Sequence, residues 1–395
     1  PRILARGGRA VRGSGAEEGK ALLVPVESRR ELKEFLALPL RLYRGAPMWV
    51  PPLRSSLAAE FDPARNPYLA HCDYRLFLLK RGGRAVGRIA ALVDRLALEA
   101  WGSAIGMFAY FECADPEGPL ARGDAALLLG AARDWLAARG IATMRGPWSF
   151  VSQEWGLVVE GFEPEPVVMA PYNHPGYAAL LEAYGLRKAK DLLCWELSIP
   201  EGYRIPDRIL TLTDAVAQRY GITIRTLDFS RFDEEVELFA RLSLGSLKDN
   251  WGISPITDAE IAAMARDLRP ILRPELVLFA RDPEGRDVGF TLTLPDLNQI
   301  LKKTGGRMLP FGWARMLWGI PRLHRYRMFG LGVAEDYHGK GVDSLLYRAM
   351  WERMAEPRLT MEVNYVLEDN WAMVNAVNKL GGKHSRRYRV YEMPV

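Results

Sequence analysis

One eighteen-residue pattern occurs twice in the chain, about half its length apart, and this limits the folds open to it. Leu180 to Leu197 reads LLEAYGLRKAKDLLCWEL, and Ala376 to Met393 reads AVNKLGGKHSRRYRVYEM. Without a gap, Gly185 falls on Gly381, Arg187 on Lys383, Lys190 on Arg386, Trp195 on Tyr391 and Glu196 on Glu392. Each copy reads as a helix end, a glycine cap and a strand of alternating apolar residues. Such a shift predicts two copies of one domain. A length of 395 residues also exceeds what one core usually supports. The linker is expected in the proline-bearing stretch 199–206, with a first unit at 21–200 and a second at 207–395.

Both halves show the same order of elements. Antiparallel-type strands (75–80, 85–94 and 105–112 in the first half, 275–281 and 288–294 in the second) precede a strand–helix–strand–helix–strand run. The prediction is an α/β fold of two tandem domains, with mixed, largely antiparallel sheets flanked by helices.

Composition narrows the function. Apolar residues make up 49% and charged residues 26%, the balance of a globular protein. Cys72, Cys113 and Cys194 are scattered, and so are His71, His174, His324, His338 and His384. Neither a disulfide framework nor a metal site is expected, and a cytoplasmic setting fits. The longest run without charge, 166–181, holds prolines and a glycine and cannot be a spanning helix. Residues 1–20, with Arg2, Arg6, Arg9 and Arg12, are expected to form a disordered tail. From Leu297 to Ala334 there is no acidic residue, while Lys302, Lys303, Arg307, Arg315, Arg322, Arg325 and Arg327 lie within it. Such a block suits phosphates, anionic lipid or nucleic acid, or else a plain solvated face. No nucleic-acid partner is expected.

The segment Met328–Met350 carries the chemistry. A buried strand runs into His338-Gly339-Lys340-Gly341-Val342-Asp343 and then directly into a helix. Free N–H groups at the helix start, two glycines and a lysine make an anion cradle. The pattern is neither GxGxxG nor a P-loop, so nicotinamide and nucleoside triphosphates fit poorly.

Here the chain resembles the GNAT acyltransferase superfamily, whose signature Gln/Arg-x-x-Gly-x-Gly/Ala matches His338 to Asp343 with His338 and Asp343 as departures. The strand 360–367 followed by Asn370, a helix and Gly381 continues the likeness. The Tyr that serves many members as general acid is replaced by Val377. A closer resemblance is to two-lobed bacterial GNAT-like proteins, carried by RGPWSFVSQEWGLVVEGF from Arg145 and PYNHPGY from Pro171. The resemblance implies an acyl-CoA co-substrate bound by Leu331, Gly332, Val333, His338, Gly339, Lys340, Gly341, Val342, Asp343 and Asn370. Strand four would splay from strand five, with the N–H groups near Gly332 and Val333 facing the thioester oxygen. The first half lacks the cradle, and its insertion 147–171 would wall the substrate.

Glu362 shares a strand face with Asn364, and a carboxylate in a central sheet is unusual. Glu362 is therefore the first base candidate, Glu368 the second, with Asn364 beside them. Glu362 also reads plainly as a structural carboxylate held by a neighbouring Arg or Tyr. Glu154, Trp155, Tyr172, Asn173 and Trp313 are the candidate substrate contacts. The tryptophan-rich segment 308–321 suits an acyl groove, packing between lobes, or contact with the inner membrane surface. The expected activity is N-acyl transfer to a small-molecule or lipid amine, with a sphingoid base as in bacterial ceramide synthases as one specialisation. A FemX-like aminoacyl transferase and a non-catalytic acyl-CoA sensor are the alternatives.

Overall fold

The computed structural model describes residues 20–151, 154–198, 205–247, 250–354 and 359–395. The tail expected over 1–20, Lys20 apart, and the linker residues 199–204 lie outside them. The first half holds strands β1 (Leu22–Pro25), β2 (Cys72–Arg81), β3 (Arg84–Asp94), β4 (Ile105–Cys113), β5 (Thr143–Trp148), β6 (Leu157–Glu160) and β7 (Arg187–Ser198). The second holds β8 (Thr223–Thr226), β9 (Val277–Arg281), β10 (Asp287–Pro295), β11 (Arg325–Val333), β12 (Thr360–Leu367) and β13 (Lys383–Pro394). Together they form one mixed sheet, ordered β1-β2-β3-β4-β5-β13-β7-β12-β11-β10-β9-β8, with β6 also paired to β13.

That order reads nearly the same from either end. In each half the fourth and fifth strands, β4/β5 and β11/β12, are parallel. The other recorded pairings are antiparallel. A parallel pair needs a crossover, supplied by helices Ala121–Ala137 and Val342–Arg353. Each buries one apolar stripe on the sheet: Leu128, Leu129, Ala132 and Leu136 in one half, Leu345, Leu346, Ala349 and Met350 in the other. The opposite face is covered by helices Arg29–Leu42, through Phe35 and Leu38, and Phe232–Leu247, through Phe239.

The halves are joined by exchanged strands. β7 follows the first half in sequence but pairs with β12, and β13 follows the second half but pairs with β5. β7 and β13 then pair with each other, from Lys383↔Glu196 to Glu392↔Arg187. These are the strands of the sequence repeat, and both leave their helices through left-handed glycines, Gly185 at φ +112° and Gly381 at φ +80°. The exchange satisfies strand edges that would otherwise stay open at the seam.

Asp191 stitches the seam. Its fully buried carboxylate accepts from Arg389 Nε at 2.7 Å, an Arg387 guanidinium nitrogen at 3.0 Å and Lys188 Nζ at 3.2 Å. Burial pushes this carboxyl up, but the hydrogen bonds from Arg389, Arg387 and Lys188 outweigh it and bring the pKa down to about 2. A depressed carboxyl stabilises the fold above its unfolded pKa, and the gain is lost as pH falls through about 2. Asp191→Asn is therefore expected to destabilise the protein by about 3 kcal/mol at pH 7. The gap to the parent should close progressively below about pH 4 in urea denaturation.

Sequence periodicity found the long elements. It missed β6 and the helices Arg54–Glu60, Arg95–Trp101 and Asn298–Thr304, each too short to show a period.

Candidate functional site

The parallel ladder between β11 and β12 ends at Met328↔Val363, although β11 continues to Val333 and β12 to Leu367. The two strands splay. On its other side β11 stays paired with β10 through Gly330, Leu331, Gly332 and Val333, with Phe329 bulged out of register. One edge of this stretch thus has no partner strand among the described residues. Gly332 is required there, because a Cβ would meet Ser246 Oγ and the Phe290 ring within 2.5 Å.

β11 leads through a short turn at Glu335–Tyr337 to the glycine cradle. Gly339 and Gly341 have φ of +72° and +80°, and helix Val342–Arg353 starts at once. Val342 and Asp343 precede the first i→i−4 bond, so their N–H groups point outward. Nothing lies within 4 Å of where a Gly339 Cβ would sit, and Gly341 is backed by Val216 Cγ2 at 3.1 Å. Lys340 holds its ammonium 4.2 Å from the Tyr337 ring centroid. His338 is exposed, with Nε2 2.9 Å from the Val333 carbonyl oxygen, which ties the turn to the strand. Asp343 is half-buried, and its charge acts on Tyr347 one turn along. An open left-handed turn, outward N–H groups and an ammonium fit a pyrophosphate.

Glu362 is 2% exposed and fully engaged. Oε1 accepts from Asn364 Nδ2 at 2.7 Å, and Oε2 lies 3.3 Å from Arg325 and 3.5 Å from Arg386. Arg386 also donates to the carbonyls of Gly161 and Pro164. This is the arrangement of a structural carboxylate. Glu368 accepts from Lys188 Nζ at 2.5 Å and from the Asp191 N–H at 3.1 Å. Asn370, whose Oδ1 accepts from the Met373 N–H at 3.1 Å, is the residue that caps helix Trp371–Lys379. Val377 is wholly buried.

The first half brings its own residues to the splay. Trp155 stacks on Trp148 at 4.5 Å, in the wall expected from segment 147–171. Asn173 spends its side chain on the Val158 N–H and on the carbonyls of Val158 and His174. Its role is to fold the loop, which leaves it little to offer a substrate. Tyr172 packs edge-on against Tyr43. Trp313 stands apart, half-exposed on helix Gly312–Gly319.

Glu154 lies within electrostatic reach of Glu60, Tyr110, Arg327 and Tyr365. Sequence reading passed over Glu60, Tyr110 and Arg327. Arg327 is 1% exposed, donates to the carbonyls of Val168 and Met169, and lies 5.0 Å from Phe329 and 5.4 Å from Tyr365. A buried arginine beside a bulge gives no sequence signal beyond membership of a basic run.

The side-chain ligand atoms of His71, Cys72 and Asp94 come within 4.8 Å of one another. His71 hydrogen-bonds Asp94 at 2.9 Å and Glu260 at 3.2 Å, so both ring nitrogens are used in bridging the halves. Burial pushes the Cys72 thiol up, against a thiolate ligand.

No family model matches the chain. It is 33% identical over 389 residues to a bacterial ceramide synthase of Caulobacter vibrioides, covering 94% of this chain and 96% of that protein. It is 31% identical over 376 residues to protein YghO of Escherichia coli, covering 93% and 94%. In structure it resembles a tandem GNAT protein from the clavulanic acid biosynthesis pathway, with TM-score 0.55, 15% identity and coverage of 95% of this chain and 98% of that one. A GCN5-related glucosamine N-acetyltransferase region of a fungal protein gives TM-score 0.54 at 13% identity, covering 95% of this chain and 38% of that one. Those two structures speak to the fold alone. With a splayed parallel pair, a glycine turn at a helix start and near-full-length relatives at these identities, the chain has the tandem GNAT fold, belongs to the same family as the bacterial ceramide synthase and is an acyltransferase.

Proposed function

We propose that the protein transfers an acyl group from a coenzyme A thioester to the amine of a lipidic amino alcohol such as a sphingoid base. The observation that carries this is the unpaired edge of β11 past Met328, running straight into the Gly339–Gly341 turn. A pantetheine arm can add to that edge like a strand while the cradle takes the phosphates. Gly330, Leu331, Gly332 and Val333 would offer backbone groups along the arm, and Lys340 a charge at its end. The likeness to a ceramide synthase supports the lipid acceptor. Turnover of long- and short-chain acyl-CoA with sphinganine and with short primary amines tests the reading. Bound coenzyme A without turnover would favour the sensor, and no coenzyme A binding would favour the FemX-like transferase.

A second feature fits a lipid acceptor. No helix among the described residues is long and apolar enough to cross a membrane. Yet Leu309, Phe311, Trp313, Leu317 and Trp318 are 51% to 78% exposed. Exposed Lys303, Arg307, Arg315 and Arg322 surround them without an acidic residue in the segment. Bulky apolar tips within a basic rim suit the interface of an anionic bilayer. Replacing Phe311 and Trp318 together with Ala is expected to weaken sedimentation with phosphatidylglycerol vesicles roughly 10-fold or more. Vesicles of phosphatidylcholine alone should bind more weakly even to the parent.

A further inference from the structure

Three observations converge where the first half covers the splay. The first is a hydrogen-bond chain. Glu60, ending helix Arg54–Glu60, accepts from Tyr110 Oη, which in turn accepts from the Phe150 N–H at 2.6 Å. Tyr110 is held at φ +53°, and Met169, whose carbonyl accepts from Arg327, at φ +58°. A side chain is strained in the left-handed region, so the surrounding structure enforces these positions.

The second is a pair of half-buried carboxyls. Burial pushes Glu60 up to about 8, and the neighbouring negative charge of Glu154 adds to the rise. Burial also raises Glu154, against the pull of the Arg327 cation. Arg88 and Arg327 offset part of the charge. What remains is room for one proton, or for one cation, near neutral pH.

The third is a set of buried polar atoms without partners: Arg327 Nε, Asn364 Oδ1, Tyr365 Oη and Trp155 Nε1. Arg327 and Asn364 are 1% and 3% exposed. Buried polar atoms are normally satisfied. Four orphans on residues that flank Glu154 or the first splayed positions of β12 call for a polar ligand.

We propose that Glu154, whose charge acts on Glu60 beside it, binds the ammonium of the acyl acceptor and takes a proton from it, while Tyr365 and Asn364 receive a neighbouring hydroxyl of the same molecule. This rests on the acyl-transfer reading above and names its acceptor site. The ligand class is a primary amine with an adjacent hydroxyl. The ammonium gives one proton to the carboxylate pair, and its freed electron pair forms the new C–N bond. The C–S bond breaks, and sulfur keeps the bonding pair and gains the second nitrogen proton. The pair then releases its proton to solvent, so ammonium and thioester become amide, thiol and one proton. The charged and titratable groups facing this site are Glu60, Arg88, Tyr110, Glu154, Arg327 and Tyr365, with Cys194 and Tyr388 beside Tyr365 and Glu362, paired to Arg386, beside Asn364.

The test is calorimetric binding of sphinganine in detergent micelles, without thioester, to the full chain and to Glu154→Gln, Glu154→Asp and Glu60→Gln. Coenzyme A binding is measured in parallel. Glu154→Gln should weaken amine binding at least 30-fold and leave coenzyme A affinity within twofold, and Glu154→Asp should recover part of the loss. Glu60→Gln removes the neighbouring charge, so the pH at which amine kcat/KM rises should move down. Amine affinity in Glu154→Gln within twofold of the parent overturns the assignment. If Glu154→Gln does not fold, an unmoved pH profile in Glu60→Gln overturns it. A parent that binds amine through Glu154 yet acylates none would support this site and sink the transfer reading instead.

Discussion

Replacing Gly341 with glutamate is expected to abolish coenzyme A binding while the chain stays folded. Gly341 sits at φ +80°, where a side chain is strained, and its Cβ would lie 3.1 Å from Val216 Cγ2. Strain of about 1 kcal/mol would shift the turn that aims the N–H groups of Val342 and Asp343. The added carboxylate would also sit at the helix start, competing for the same N–H groups and repelling a phosphate. Together these should weaken binding roughly 100-fold or more, which corresponds to about 2.8 kcal/mol. Titration calorimetry with coenzyme A reads this directly. Gly339→Ala is the milder control, because nothing lies within 4 Å of its Cβ and only the φ of +72° opposes it. Unchanged affinity in Gly341→Glu would remove the pyrophosphate from this turn.

Glu362→Ala is expected to destabilise the protein by about 3–5 kcal/mol, because it strands the buried Arg386 cation and takes one of two carboxylate partners from Arg325. Arg386 and Arg325 would each lose their contact with Oε2, and Asn364 its acceptor. The loss spans the molecule, since Arg325 is on β11, Glu362 on β12 and Arg386 on β13. Arg386 further holds the loop at Gly161 and Pro164, so that loop should loosen too. Urea denaturation at pH 7 measures the loss, and Glu362→Gln should fall between parent and Ala. Full stability in Glu362→Ala combined with lost turnover would restore Glu362 as the base.

Much of the fold is legible in the sequence. The hairpin β2–β3 and helices Tyr177–Tyr184 and Asp258–Leu268 follow from apolar periodicity and glycine caps. The cradle was legible because left-handed glycines beside a helix start leave a local signature. The acceptor side was not. Glu154 could be named from its aromatic segment, but Glu60, Tyr110 and Arg327 lie far from it in sequence. Local pattern carries no information on which distant charges burial will bring together. The candidate base at Glu362 illustrates the same limit. Its place on a central strand was readable, but the two arginines that occupy it come from β11 and β13.

The sequence by itself determined the repeat, the strand–helix order of each half and the single copy of the glycine turn, because these depend on residues near one another along the chain. Only the tertiary structure decided that the repeated strands trade places. The apolar pattern of β7 and of β13 suits a strand equally in two closed domains and in the exchanged sheet. The choice rests on which long-range edges meet, and on the Asp191 carboxylate that ties Arg387 and Arg389 across the seam. The exchange draws both halves into one sheet.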